Sequence, residues 1–184
     1  MRNELLVADT TTHPVNSQVE QEPTGPVPGR WWSPDRSWLP SLAAALIAGV
    51  VFLAARTTLI DDAYITLDYA RNIAFHLHWG LTPHATANTA TSPLNVLVLG
   101  LVTAITRRPV LALGVVYVLS TVALEFGLRR TARAVGLPGW VGLLTVLLLA
   151  VNPVLLSSIG MEIALGGALT ALLLLAAVTG RVWL

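Results

Sequence analysis

Asp61 and Asp62 stand side by side at the head of a polar island, DDAYITLDYARNIAFHLHWGLTPHATANTATSPL, in a chain that is otherwise mostly apolar. Adjacent carboxylates suit general-base work, because like charge and partial burial both favour taking a proton from an attacking hydroxyl. They equally suit a divalent cation, Mg or Mn, held through hard oxygen ligands. The plainer role is local: an aspartate opening a helix caps free amides and is favoured by the helix dipole. On spacing alone capping is the favoured role for Asp61, and one carboxylate can cap while the other reacts.

Other polar residues fall in register with this pair. Asp61, Asp68 and Asn72 recur at spacings of seven and four, and Arg71 follows Asp68 by three. These intervals gather hydrogen-bonding groups on one stripe of a helix. Thr91 and Ser92 close the island. His76, His78 and His84 resemble a loose metal cluster, but the i, i+2 pair points to different helix faces and no further ligand follows at a recognised spacing, so a surface or stacking role is favoured. Glu162, next to an apolar run and near Gly160, is costly unless it faces water or protein, which leaves a functional and a merely interfacial role equally open. Glu125 has Arg129 four residues on and reads as a paired interfacial residue.

The element that must carry the first carboxylates is Asp62 to Leu77, where Ala63, Leu67, Ala70, Ala74 and Leu77 recur at helical intervals on one face. Around it the composition is that of a chain solvated by lipid: 54% hydrophobic, 11% charged, with a mean hydropathy of +0.69. Eleven basic residues, all arginine, nearly balance ten acidic ones, so charge gives no reason to expect nucleic acid. With no cysteine there is no disulfide, thiolate metal site or cysteine nucleophile.

Residues 1–37, rich in Thr, Pro and carboxylates, read as a disordered cytoplasmic tail. It is too long and acidic to begin a secretory signal peptide, so the helix after it is expected to stay as an anchor. Trp38 to Ala55 is the first span, with Trp31, Trp32 and Trp38 at its interface. Pro93 to Ile105 has only about 13 residues, too few for a straight crossing, and reads as re-entrant. Val110 to Leu128, Pro138 to Leu156 and Ile163 to Thr179 complete the set. Arg129, Arg130 and Arg133 then mark a cytoplasmic loop by the positive-inside rule. The expectation is an all-α integral membrane protein of about four transmembrane helices over residues 38–184. The N-terminus is cytoplasmic and a first extracytoplasmic loop occupies about 57–109. A small transporter is disfavoured, because no polar residues recur through the spans as a pathway would require.

Three segments carry a resemblance. DDAYITLDYARN at 61–72 follows the first span, TSPLNVLVLGL at 91–101 opens the short apolar run, and NPVLLSSIGMEIAL at 152–165 contains a Gly-Met-Glu element. In this order they resemble the N-terminal part of the GT-C superfamily of membrane glycosyltransferases, nearest the actinobacterial branch of arabinofuranosyl- and mannosyltransferases of the cell envelope. The resemblance covers about residues 38–180, and the family's enzymes usually carry more spans than this chain. It implies a polyprenyl-phosphate-linked sugar donor, a glycan or protein acceptor, contact with membrane lipid, and a site on the outer face of the cytoplasmic membrane. It also implies an aspartate of the first outer loop as general base, here Asp61 with Asp62 as neighbour or alternate. Asp68, Arg71, Asn72, Thr91, Ser92 and Glu162 are the substrate-contact candidates. Leu67 and Asp68 stand where relatives often have an aromatic and a basic residue, so the motifs do not specify the sugar. The competing expectation is a truncated, noncatalytic scaffold that binds a partner.

Overall fold

In a computed structural model of the chain, the described residues are 38–82, 85–86 and 89–180. They form seven helices: α1 Leu39–Ala55, α2 Asp61–His76, α3 Pro93–Thr106, α4 Pro109–Ala134, α5 Val141–Ala150, α6 Pro153–Ser157 and α7 Ile163–Val178. No strand forms among them, only isolated bridges such as Thr82 with Ala85. The tail expected over 1–37, with Trp31 and Trp32, lies outside the described residues, as does His84.

Prolines and left-handed residues punctuate the chain. Pro93 and Pro109 open α3 and α4, where the missing amide costs nothing. Leu77 and Arg107 end α2 and α3 with φ of 52° and 59°. Pro153 breaks the run expected as one helix over Pro138 to Leu156. Its ring and absent N–H cannot continue an α-helix, and it holds the preceding residue extended. Asn152 therefore leaves the helix (φ −84°, ψ 113°) and its side chain accepts from the amides of Val154 and Leu155 to start α6. The loop expected around Arg129, Arg130 and Arg133 is instead the last two turns of α4.

α4, with 26 residues and about 39 Å long at 1.5 Å per residue, is the axis on which α1, α3, α5 and α7 pack. Named contacts set the directions. The Ser41 hydroxyl donates to Glu125 (2.8 Å) near one end of the α1–α4 pair, and the Phe52 ring covers Gly114 near the other, so these helices are antiparallel. α5 also opposes α4: Gly142 lies against the Glu125 carbonyl, while Leu149, further along, shares a cavity wall with Tyr117. α7 runs with α4, since Gly160 before it faces Leu113 and Ala171 packs on Gly127. Thus α1 and α5 point one way, α4 and α7 the other.

α2 and α3 lie side by side and parallel, with Ala70 and Ile73 flanking Gly100 and the Arg107 guanidinium 5.8 Å from the Phe75 ring centre. Both ends of α3 sit near the beginning of α4: Asn95 shares a small pocket with Leu113 and Val116, and Arg107 and Arg108 lead directly into Pro109. α3 does not reach the far end of the bundle. A core of Phe52, Leu67, Ala70, Leu99, Leu113, Val116 and Ile159 joins the α2–α3 pair to α1, α4 and the segment before α7.

Pro109–Ala134 is the one described helix long and apolar enough to cross a membrane by itself; Leu39–Ala55, Pro93–Thr106, Val141–Ala150 and Ile163–Val178 are apolar but shorter. Glu125 and Arg129 are indeed paired at i, i+4 (2.7 Å), but inside the bundle rather than at an interface, with exposures of 0% and 3%. Arg129 also donates to the Ser41 hydroxyl (3.1 Å), closing a three-residue network between α1 and α4.

Candidate functional site

The structure brings the three motif segments to one end of the bundle, and Gly160 is where they meet. At φ +105° it occupies a conformation open to glycine and strained for other residues. A Cβ there would lie 2.5 Å from the Cβ of Ala63, the residue after Asp62. The Gly160 carbonyl accepts a hydrogen bond from the buried side chain of Asn95 (3.4 Å), in the first turn of α3. One backbone position therefore ties the start of α2 to the start of α3 and to the segment that carries Glu162.

Asp61 and Asp62 occupy the first turn of α2, both exposed. Neither forms a side-chain cap: Ile60 is the capping position and no side chain bonds there. The helix dipole favours anionic groups at this end, but the hydrogen bond that would make Asp61 a cap residue is not formed. Glu162 is half-buried at the start of α7, two residues past Gly160, and does not cap that helix either. Among the described residues none of these three carboxylates has an ion-pair partner. No group of three His, Asp or Glu side chains that could hold a metal forms among the described residues.

The other candidates divide by position. Thr91 is exposed and Ser92 half-buried, directly before α3 and one turn from Asn95. Asp68 and Arg71 are exposed on α2 but lie about 10 and 15 Å along its axis from Asp61. They flank the carboxylate pair and are not part of its immediate surroundings. Asn72 is buried, and its amide donates to the Gly80 carbonyl (2.7 Å). It anchors the loop after α2 in place of facing outward with Asp68.

That loop was the part least visible in the sequence. Tyr69 is fully buried; its hydroxyl accepts from the Thr89 amide and shares a second hydrogen bond with the Thr89 hydroxyl, both at 3.0 Å. The Trp79 ring packs on it at 5.4 Å, tilted by 56°. Together Tyr69 and Asn72 fold the loop back over α2, which widens the buried face beyond Ala63, Leu67 and Ala70. Leu77, expected on that face, is 93% exposed because the chain turns there through a left-handed residue. Tyr69 had no spacing signal. Asn95 had one: an amide inside an apolar run needs a partner.

Chemically, the arrangement offers adjacent solvent-open carboxylates and hydroxyls from Thr91 and Ser92 at one end of an apolar bundle. No protein-family model, curated protein or solved structure matches the chain.

Proposed function

We propose that the chain is a four-span integral membrane protein and forms all or part of a sugar-transfer site at the outer face of the cytoplasmic membrane. The donor is a polyprenyl-phosphate-linked sugar and the acceptor a hydroxyl of a cell-envelope glycan or protein. The observation that carries this reading is the convergence of the segments at 61–72, 91–101 and 152–165 on Gly160, in a bundle whose helices alternate in direction. The alternation fits crossings by α1, α4, by α5 with α6, and by α7, with α2 and α3 held at the outer end. The outward faces favour lipid as their solvent: Val50 of α1 and Leu173 of α7 are 67% and 68% exposed.

The chemistry follows from the exposed carboxylates. An acceptor oxygen attacks the anomeric carbon as the bond to the polyprenyl phosphate breaks, and the acceptor proton passes to Asp61, with Asp62 as its alternate. Phosphate is a good leaving group, so the site supplies position and a base, and no strong acid is required. Glu162, Thr91 and Ser92 border the same space as acceptor contacts, with Asp68 and Arg71 further along α2. A divalent cation, Mg or Mn, would find Asp61 and Asp62 as its protein ligands.

The topology is tested with single cysteines, since the chain has none of its own. Leu77 and Leu137 are exposed at opposite ends of the arrangement. With an impermeant maleimide, Leu77→Cys labels in intact cells and Leu137→Cys only after permeabilisation. The reverse pattern rejects the proposal.

A further inference from the structure

The bundle encloses a partly open cavity of about 280 Å³ between α1, α4, α5, α6 and α7. Most of its wall is aliphatic, including Ile47, Val51, Leu124 and Leu149. Its aliphatic hydroxyls are used up locally, Thr121 donating to the Tyr117 carbonyl, Thr145 to that of Val141 and Ser158 to that of Val154, which leaves the Tyr117 phenol as the polar group of the wall. The two threonines therefore satisfy their polar atoms on their own helices, and the cavity has little to hold water with. Apolar cavities of this kind stay dry and take apolar ligands, and the volume is close to the lower range of small-molecule sites.

The two ends differ. Tyr117 and Ala164 also line a smaller pocket beside Asn95 and Gly160, so the cavity end nearest the candidate site carries the phenol. At the opposite end the wall is formed by Leu124, Thr145 and Gly167. The flanking helices present exposed leucines outward, such as Leu46, Leu148 and Leu173. A hydrocarbon solvent around those faces supplies the ligand that the wall fits.

From this we infer that the cavity binds one hydrocarbon chain of a membrane lipid, its polar end at Tyr117 and its tail towards Leu124. The inference rests on the membrane reading above. It adds a lipid-chain site within the four proposed crossings, beneath the carboxylates and separate from them.

The test reconstitutes the full chain in phosphatidylcholine vesicles containing a phosphatidylcholine with a diazirine in its acyl chain, followed by photolysis and peptide mapping. Adducts are expected on Leu124 and Ala164 as well as on lipid-facing residues. Gly167 lines the cavity beside Leu124, whose side chain a Cβ on the glycine would just touch at 3.9 Å, whereas Gly166 has open space around it. Gly167→Leu therefore lowers the cavity adducts about tenfold, the loss of about 1.4 kcal/mol of binding, and Gly166→Leu leaves them unchanged. Ala164→Val, a milder filling, gives a smaller loss in the same direction. Adducts confined to exposed residues such as Leu148 and Leu173, or equal yields in the two glycine variants, overturn the inference. A lipid-free dimer in native mass spectrometry with no cavity adducts assigns the space to a second copy and overturns it too. Release of the chain by alkaline carbonate removes the membrane reading itself, whereas retention with surface adducts alone removes only the cavity site.

Discussion

Gly160 presses against Ala63 so closely that a side chain on the glycine has no room. This contact joins the segment bearing Glu162 to the turn bearing Asp61 and Asp62. Gly160→Val is expected to cost about 1–3 kcal/mol from overpacking, with a further penalty from the left-handed backbone. Thermal unfolding in detergent checks it. The variant should also impair sugar transfer more than Gly49→Val, because a Cβ on Gly49 meets nothing within 4 Å.

The Ser41, Glu125 and Arg129 network makes a sharper prediction, because removing one buried partner leaves the other uncompensated. Glu125→Ala should destabilise by about 3–5 kcal/mol, while Glu125→Leu combined with Arg129→Met should recover most of that loss. Ser41→Ala removes hydrogen bonds to charged groups worth about 1.5–3 kcal/mol. Unfolding midpoints of the single and double variants decide. Additive losses in the double variant would contradict the pairing.

Tyr69→Phe should free the loop without melting α2. The Thr89 amide loses its acceptor, so its hydrogen exchange is expected to accelerate roughly five- to tenfold for about 1 kcal/mol. Exchange within α2 stays slow. Loss of α2 protection would mean that the loop supports the helix and is not merely docked on it.

Legibility in the sequence tracks how local each interaction is. α2 was readable because Ala63, Leu67 and Ala70 mark its buried face within a few turns. The Glu125–Arg129 pair was readable for the same reason, at i, i+4. Ser41, 84 residues before Glu125, was not, and neither was the Asn95 bond to Gly160 across 65 positions. Helical phase alone places Asn72 outward with Asp68, because it does not anticipate a loop that folds back through Tyr69 and Gly80. The break at Pro153 is hidden in hydropathy alone, because the run from 138 to 156 is apolar on both sides of it. The three motif segments were legible one by one; their meeting at Gly160 was not, because it depends on a left-handed glycine and an alanine nearly a hundred residues apart.

The most direct test of the account is sugar transfer by membranes bearing the chain, supplied with polyprenyl-phosphate-linked arabinofuranose or mannose, comparing wild type with Asp61→Asn and Asp62→Asn. Loss of a general base is expected to lower transfer by about 10²- to 10⁴-fold in Asp61→Asn, with normal membrane insertion and a smaller effect in Asp62→Asn. Undiminished transfer in Asp61→Asn would contradict its role as base, and no transfer by wild type with either donor, together with co-purification of a larger partner, would make the chain a scaffold.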